Sequence, residues 1–414
     1  MIGKNRAPAG GLLEVLAVFA GMAGLAGLLL AAVSLEPEGV RAAYAQSSLR
    51  GRIVVGAVLD ITGQGSARGR EARDALILEE QRINQERGSG SVQIVLVTID
   101  SAGKPEAAAS AVKSLANEYR AVAIVGPSDR ASALAAAREA ERTKIPMISL
   151  SAPETILRPV RRWIFSTAHP VSLAVQRTLL HMQAKGYQRA AILVSDDGFG
   201  AEGRENLSEL APEMGISVLL NDRHQENEHN LLPYLQKAHI RGTEAFVLWA
   251  RGPSRLALAR ARMALDIRLP IYMAPVSAGT FDLKNSGRSL DGIVFPASRV
   301  LVADLLPKGT PGLKSVREFR AAFRNRFGHF PDGLSGSAAD ALRIVKAALK
   351  NRDLRREQVR ENIEKMASFE GLSGSFRFSK SDHNGLRADS LVMVRIRKGA
   401  WSLDKEKQEK SGGK

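Results

Sequence analysis

Residues 190–203 read AAILVSDDGFGAEG: an apolar run of strand character that breaks into two aspartates and then a literal G-x-G-x-x-G. A strand followed at once by a glycine-rich turn and a helix is the repeating unit of a parallel α/β sheet, and a dinucleotide site uses the same spacing to bring backbone against a pyrophosphate. Acidic side chains are unwelcome beside a pyrophosphate, yet Asp196 and Asp197 precede the glycines and Glu202 sits among them. The stretch therefore predicts a strand–loop–helix junction whose glycines serve something other than a dinucleotide.

Outward from this junction the same unit recurs. On the N-terminal side, RIVVGAVL, SVQIVLVTID, AVAIVGPS and IPMISLS are strand-like, separated by ARDALILEEQRINQE, KPEAAASAVKSLANEY and SALAAAREAERT, whose apolar residues fall at helical spacing. The alternation pauses at RPVRRWIFSTAHP and restarts with AVQRTLLHMQAKG, running through ISVLLND, LLPYLQKAHIRG, EAFVLWA, SRLALARARMALDI and LPIYMAP. Near-continuous Val and Ile runs between amphipathic helices predict parallel sheets covered on both faces. SVREFRAAFRNRFG and GSAADALRIVKAALKNRD read as further helices, and residues 373–401 as a β-hairpin turning at HNG, 383–385. The expected fold class is α/β, two doubly wound Rossmann-like lobes joined by a multi-strand hinge. Lobe one takes 51–168 plus 298–370, lobe two takes 169–297 plus 371–403, and 404–414 form a charged, disordered tail. Ligands of such sheets sit beyond the carboxyl ends of the strands, so the cleft between the lobes is where a site is sought.

Composition narrows the function. The 414 residues are 44% hydrophobic and 25% charged, which excludes a wholly disordered chain and a multi-span membrane protein. The net charge of +16 is spread along helices in alternation with Glu and Asp, unlike the dense basic block of a nucleic-acid arm, and 5% aromatic residues leave few stacking platforms. No nucleic-acid partner is expected. The absence of cysteine excludes disulfides, thiolate catalysis, Cys-ligated zinc and a lipid-acylated N-terminus. Residues 1–45 read as an export segment: Lys4 and Arg6, an uncharged run from Val15 to Leu35, then Ala43-Tyr44-Ala45 as a small-x-small cleavage pattern. The 21-residue run is also long enough to span a bilayer, so a cleaved signal peptide and a retained signal anchor both stand, and membrane contact is expected only there.

Catalytic and metal signatures are weak. His224 and His229 lie in NDRHQENEHN without paired acids, and Ser110 and Lys113 match S-x-x-K on an amphipathic helix that offers no further partners. Neither G-x-S-x-G, H-E-x-x-H nor a Walker sequence occurs. Neither an enzyme nor a cofactor is expected, and Trp249 and Trp401 read as packing residues.

Four blocks together resemble the type I periplasmic binding proteins of ABC importers, in their leucine/isoleucine/valine-binding group: GAVLDITGQGSARGREARDA, ID followed by GKPEAAASAV, AIVGPSDRASALAAAREAERTKIPMIS, and ILVSDDGFGAEG. The resemblance runs from about Gly51 to Trp401 and implies a periplasmic solute-binding protein that closes on a small amino acid or carboxylate and hands it to an ABC permease. The alternative use of the same fold is a membrane-anchored sensing or accessory domain that delivers no solute. It further implies ligand contacts from hydroxyls of lobe one and aromatics plus an acid of lobe two. Carried over, those positions are Ser128 and Arg130 after the third strand, Ser149 and Ser151 after the fourth, and Phe199 in the opening stretch. Arg68 and Arg251 stand where relatives carry aromatics, and Val276 stands near the position of the acid. Three guanidinium groups in place of hydroxyl and phenyl groups predict a small anion, such as an organic or aromatic carboxylate, rather than a zwitterion like leucine.

Overall fold

The computed structural model describes residues 52–404 apart from 64, 87–92, 226–227, 277–288 and 350–353. The export segment lies outside the described residues, as do residues 405–414 of the tail. Among the described residues, no helix is long and apolar enough to cross a membrane.

The first lobe is a five-stranded parallel sheet in the order β2-β1-β3-β4-β5, formed by Ile53–Leu59 (β1), Ile94–Asp100 (β2), Ala123–Val125 (β3), Met147–Ser149 (β4) and Ile164–Ser166 (β5). Helices Ser66–Gln85 (α1), Pro105–Asn117 (α2) and Arg130–Thr143 (α3) connect these strands, and a short helix, Glu154–Leu157 (α4), follows β4. From Val54 on, β1 is buried along its whole length, as expected of a strand with helices on both faces.

The second lobe repeats the plan. Helix Val171–Ala184 (α5) leads into strand Arg189–Ser195 (β6), helix Gly198–Glu213 (α6), strand Ser217–His224 (β7), helix Leu232–Ile240 (α7), strand Ala245–Trp249 (β8), helix Ser254–Ala264 (α8) and strands Ile271–Met273 (β9) and Val294–Ser298 (β10). The chain then returns to lobe one. Helix Leu313–Phe327 (α9) and Gly333–Ala348 (α10) pack on α1, Arg356–Glu364 (α11) packs on α10, and a ribbon follows at Phe369–Glu370 (β11) and Ser375–Phe376 (β12). Strands Leu391–Arg397 (β13) and Ala400–Leu403 (β14) finally add an antiparallel edge to the second sheet, ordered β14-β13-β10-β9-β8-β6-β7.

The chain thus passes between the sheets three times, at 166–171, 298–313 and 376–391. These crossings are stitched together by buried polar groups. Thr167 Oγ1 donates to the Ser337 carbonyl (2.8 Å), Arg299 pairs with Glu370 (3.0 Å), and the Asp340 carboxylate accepts the Leu372 and Ser373 amides at 2.7 and 2.8 Å. Burial pushes the Asp340 carboxyl up to about 6.

The HNG segment differs from its expected role. The hairpin turns at Lys398 and Gly399, both left-handed, while 383–385 lie in the third crossing. There the His383 ring stacks on Phe165 at 4.1 Å, its Nδ1 meets the Ile164 carbonyl, and Asn384 Nδ2 donates to the carbonyls of Ser166 and Ala168. Asn384 and Gly385 are local turn formers, and the Gly385 amide donates to Asp382, but the carbonyls that His383 and Asn384 find along and just after β5 hold the segment in the hinge.

Sequence ends the ordered chain at 403, whereas Asp404 is buried and forms ion pairs with Arg395 (2.6 Å) and Lys185 (3.4 Å). Next to it the fully buried His181 has Nε2 3.2 Å from the Asp404 carbonyl, a donating contact, and Nδ1 2.9 Å from the Tyr272 hydroxyl. Burial depresses the His181 pKa to about 4, and the same cause lowers His169 to about 4. An imidazole neutral in the fold but near 6.5 when unfolded stabilises the protein above pH 6.5 and loses that contribution as pH falls toward 4. The urea midpoint should therefore drop across this window, and His181→Gln, which cannot titrate, should drop less.

Candidate functional site

The loops at the carboxyl ends of β1, β3, β4, β6, β8 and β9 bring residues of the two lobes together. Within the opening stretch, helix α6 starts at Gly198, where Asp197 caps it. Its carboxylate accepts the Gly200 amide (2.6 Å) and the Ser195 hydroxyl (2.9 Å). A dinucleotide phosphate would need those helix N-terminal donors, and the protein's own carboxylate already occupies the Gly200 amide. The glycines have a packing cause instead. A Cβ on Gly200 would stand 1.8 Å from the Ser195 carbonyl oxygen, and one on Gly203 would stand 2.0 Å from the Trp249 indole. Lobe one uses the same device, where a Cβ on Gly69 of α1 would lie 2.1 Å from the Asp60 carbonyl oxygen. Each lobe thus seats the helix that follows its first strand tightly on the end of that strand.

That seating places Phe199 and Arg68 at the gap. Phe199, half-buried, stacks on the fully buried Trp249 at 5.9 Å, and the Arg251 guanidinium lies over its ring at 3.8 Å from the centroid. Arg251 keeps an exposed edge, yet desolvation lowers its pKa, and the next cause is the charge of Arg68 from the opposite lobe. Behind it Arg255 is buried, donating to the carbonyls of Ala250 (2.8 Å) and Pro275 (3.0 Å), and burial lowers it to about 10. Arg255 fixes the ends of β8 and β9 against each other and so holds the loop that carries Arg251.

The other expected positions fall into two groups. Arg130 reaches across the gap, but its Nη1 meets Glu202 Oε2 of lobe two at 2.5 Å. Arg251, by contrast, feels the charge of Arg68 from the other lobe more than those of Asp197 and Glu202. Ser128 is buried with its hydroxyl on Asp60 (2.9 Å), Ser149 donates to the Ser151 carbonyl (2.6 Å), and the Ser151 amide returns a bond to Ser149 Oγ (3.1 Å). Val276 is buried at the end of β9.

Three acidic residues at this site escaped sequence reasoning. Asp60, at the end of β1, also accepts the Ser101 hydroxyl (2.6 Å). Beside it burial raises the Asp129 carboxyl, whose main task is to cap α3 through the Ser132 amide. Glu154 completes a second interlobe contact, accepting the Ser172 hydroxyl (2.5 Å) while its own amide faces Glu202 Oε1 (3.3 Å). An acid directly after a buried strand was a visible signal for Asp60; nothing local signalled Glu154.

Elsewhere, His224 is buried on the Gln225 carbonyl, and Ser110 and Lys113 are exposed on α2. No group of three metal-ligating side chains occurs among the described residues. Trp401 packs edge-on against Phe295.

Residues 52–400 match the family model described as periplasmic binding protein. The chain belongs to the periplasmic binding protein family. Its two sheets and three crossings are the type I form, and the leucine/isoleucine/valine-binding group is the branch its relatives carry in their names. A putative branched-chain amino acid ABC transporter protein from Rhodospirillum rubrum superposes with TM-score 0.72 at 18% identity, covering 85% of this chain and 100% of that one. An extracellular ligand-binding receptor from Rhodopseudomonas palustris HaA2 gives 0.71 at 18%, covering 86% and 100%. LivJ from Streptococcus pneumoniae, solved with isoleucine, gives 0.68 at 18%, covering 85% and 99%. At such identities the likeness to these structures is one of fold. No curated protein sequence matches the chain. In this periplasmic binding protein the gap between the lobes carries arginine from both sides, flanked by one aromatic stack.

Proposed function

We propose that this periplasmic binding protein is the exported solute-binding component of an ABC importer and that its solute is a small organic carboxylate gripped between the lobes. The single observation that carries this reading is Arg251 of lobe two, held over the Phe199 ring at 3.8 Å and close enough to Arg68 of lobe one for that charge to outweigh those of Asp197 and Glu202. Two guanidinium groups that repel each other across a gap favour an anion between them, because each fork can hold a carboxylate bidentately. An ammonium group would meet repulsion there. Since the anion touches both lobes only when they are shut, it stabilises the closed form further, and a permease can read the loaded, closed form. Structural relatives named for branched-chain amino acid transport support the uptake role, and Val15–Leu35 supports export. The function is binding, with no chemistry asked of any residue.

A thermal-shift screen followed by calorimetry tests this. Leucine, isoleucine, succinate and benzoate are compared, and a true solute at 100 times its Kd stabilises the fold by about 2.7 kcal/mol. Carboxylates are expected to raise the midpoint more than leucine; tight leucine binding with no response to either carboxylate refutes the choice of solute.

A further inference from the structure

We propose that Glu202 is a clasp that holds this edge of the cleft shut without any solute. Glu202 is the one acid of α6 whose two carboxylate oxygens both meet lobe one: Oε2 faces Arg130 Nη1 at 2.5 Å and Oε1 faces the Glu154 amide at 3.3 Å. Glu154 in turn takes the Ser172 hydroxyl of lobe two at 2.5 Å, so polar contacts cross the gap in both directions at one place. The Glu202 side chain is only 10% exposed, against 45% for Arg130, so the carboxylate lies in the less screened part of the pair. Its seat is fixed from behind, because Asn206 Nδ2 donates to the Glu202 carbonyl at 2.8 Å and Gly203 is wedged on Trp249. Glu202 is thus a positioning residue that presents a carboxylate to Arg130 in the way a solute would.

The clasp sets how much closure a solute must supply. A solute that binds only the closed form has an apparent Kd equal to its intrinsic Kd divided by the closed fraction, so losing the clasp weakens binding by up to about tenfold if closure falls from most to a tenth of molecules. The lobe motion itself can be read with no solute, which keeps this test separate from the choice of carboxylate above.

The chain has no cysteine, so two can be introduced for spin labels without background: Arg138→Cys on α3 and Glu209→Cys on α6, both exposed. In solute-free full-length protein, pulsed electron resonance should give one short interlobe distance that lengthens in Glu202→Gln and shortens again in the charge swap Arg130→Glu with Glu202→Arg. High salt, about 1 M, where the Debye length is about 3 Å, should lengthen it in the labelled parent. A parent already open, a distance unchanged in Glu202→Gln, or an opening that the swap fails to reverse overturns the clasp.

Discussion

Arg251→Ala and Arg68→Ala should each weaken carboxylate binding by roughly 10- to 150-fold, because each removes a charged hydrogen-bonding fork worth about 1.5–3 kcal/mol. The two losses should not add independently, since both forks are proposed to hold one anion, and the double variant should give no measurable heat in calorimetry. Arg251→Lys separates charge from geometry. It keeps the cation but loses both the planar fork and the stack on Phe199, so affinity should recover only in part. Melting distinguishes lost affinity from lost fold. Arg251 is exposed and its guanidinium stacks only on the half-buried Phe199, so the solute-free protein should stay folded without it. Full affinity in Arg251→Ala would place the solute elsewhere in the cleft.

Gly200→Ala should cost stability at the upper end of the overpacking range, about 3 kcal/mol, with a fall in melting temperature of about 5 °C or more. The added carbon would stand 1.8 Å from a backbone carbonyl oxygen, which cannot swing aside as a side-chain tip can. Gly203→Ala should be costly too, because its clash is with the indole of Trp249, which is fully buried and has no free volume to retreat into. Gly198→Ala is the control. A Cβ there meets nothing within 4 Å, and its effect should stay within about 0.5 kcal/mol. A phosphate-cradling loop would show the reverse order of sensitivity in ligand binding, with the first glycine needed for the approach of the ligand. Differential scanning calorimetry of the three variants decides between packing and cradle.

Much of the fold was legible because sequence period reports a residue's immediate surroundings. Strands such as IVVGAVL and AFVLW are apolar without alternation because helices cover both faces, and that pattern needs no knowledge of the rest of the chain. Elements below a full period were missed: β5 has three residues, β11 and β12 two each, and α11 shows only Val359, Arg360 and Ile363 buried. The HNG turn was misjudged for a related reason. Its residues favour a turn in any context, but which strands a turn joins depends on the acceptors it meets, and those are the β5 carbonyls more than 200 positions away.

The site divides in the same way. Phe199, Arg130, Arg68 and Arg251 come from the family resemblance; in the fold Arg130 meets Glu202 of the other lobe and Arg251 lies over Phe199. What each meets there could not be read from the chain. Arg130 sits opposite Glu202, 72 positions on, and Ser128 turns to Asp60, 68 positions back.

By itself, then, the sequence determined the alternation of strand and helix, the two lobes, the family, and an excess of arginine in the loops after the strands. Only the tertiary structure decided that Arg130 is matched by the carboxylate of Glu202 and that the G-x-G-x-x-G is a packing joint. The physical reason is range. Periodicity and turn chemistry act over a few residues, whereas an ion pair or a steric clash is set by distances of a few ångströms between atoms that the fold alone brings together.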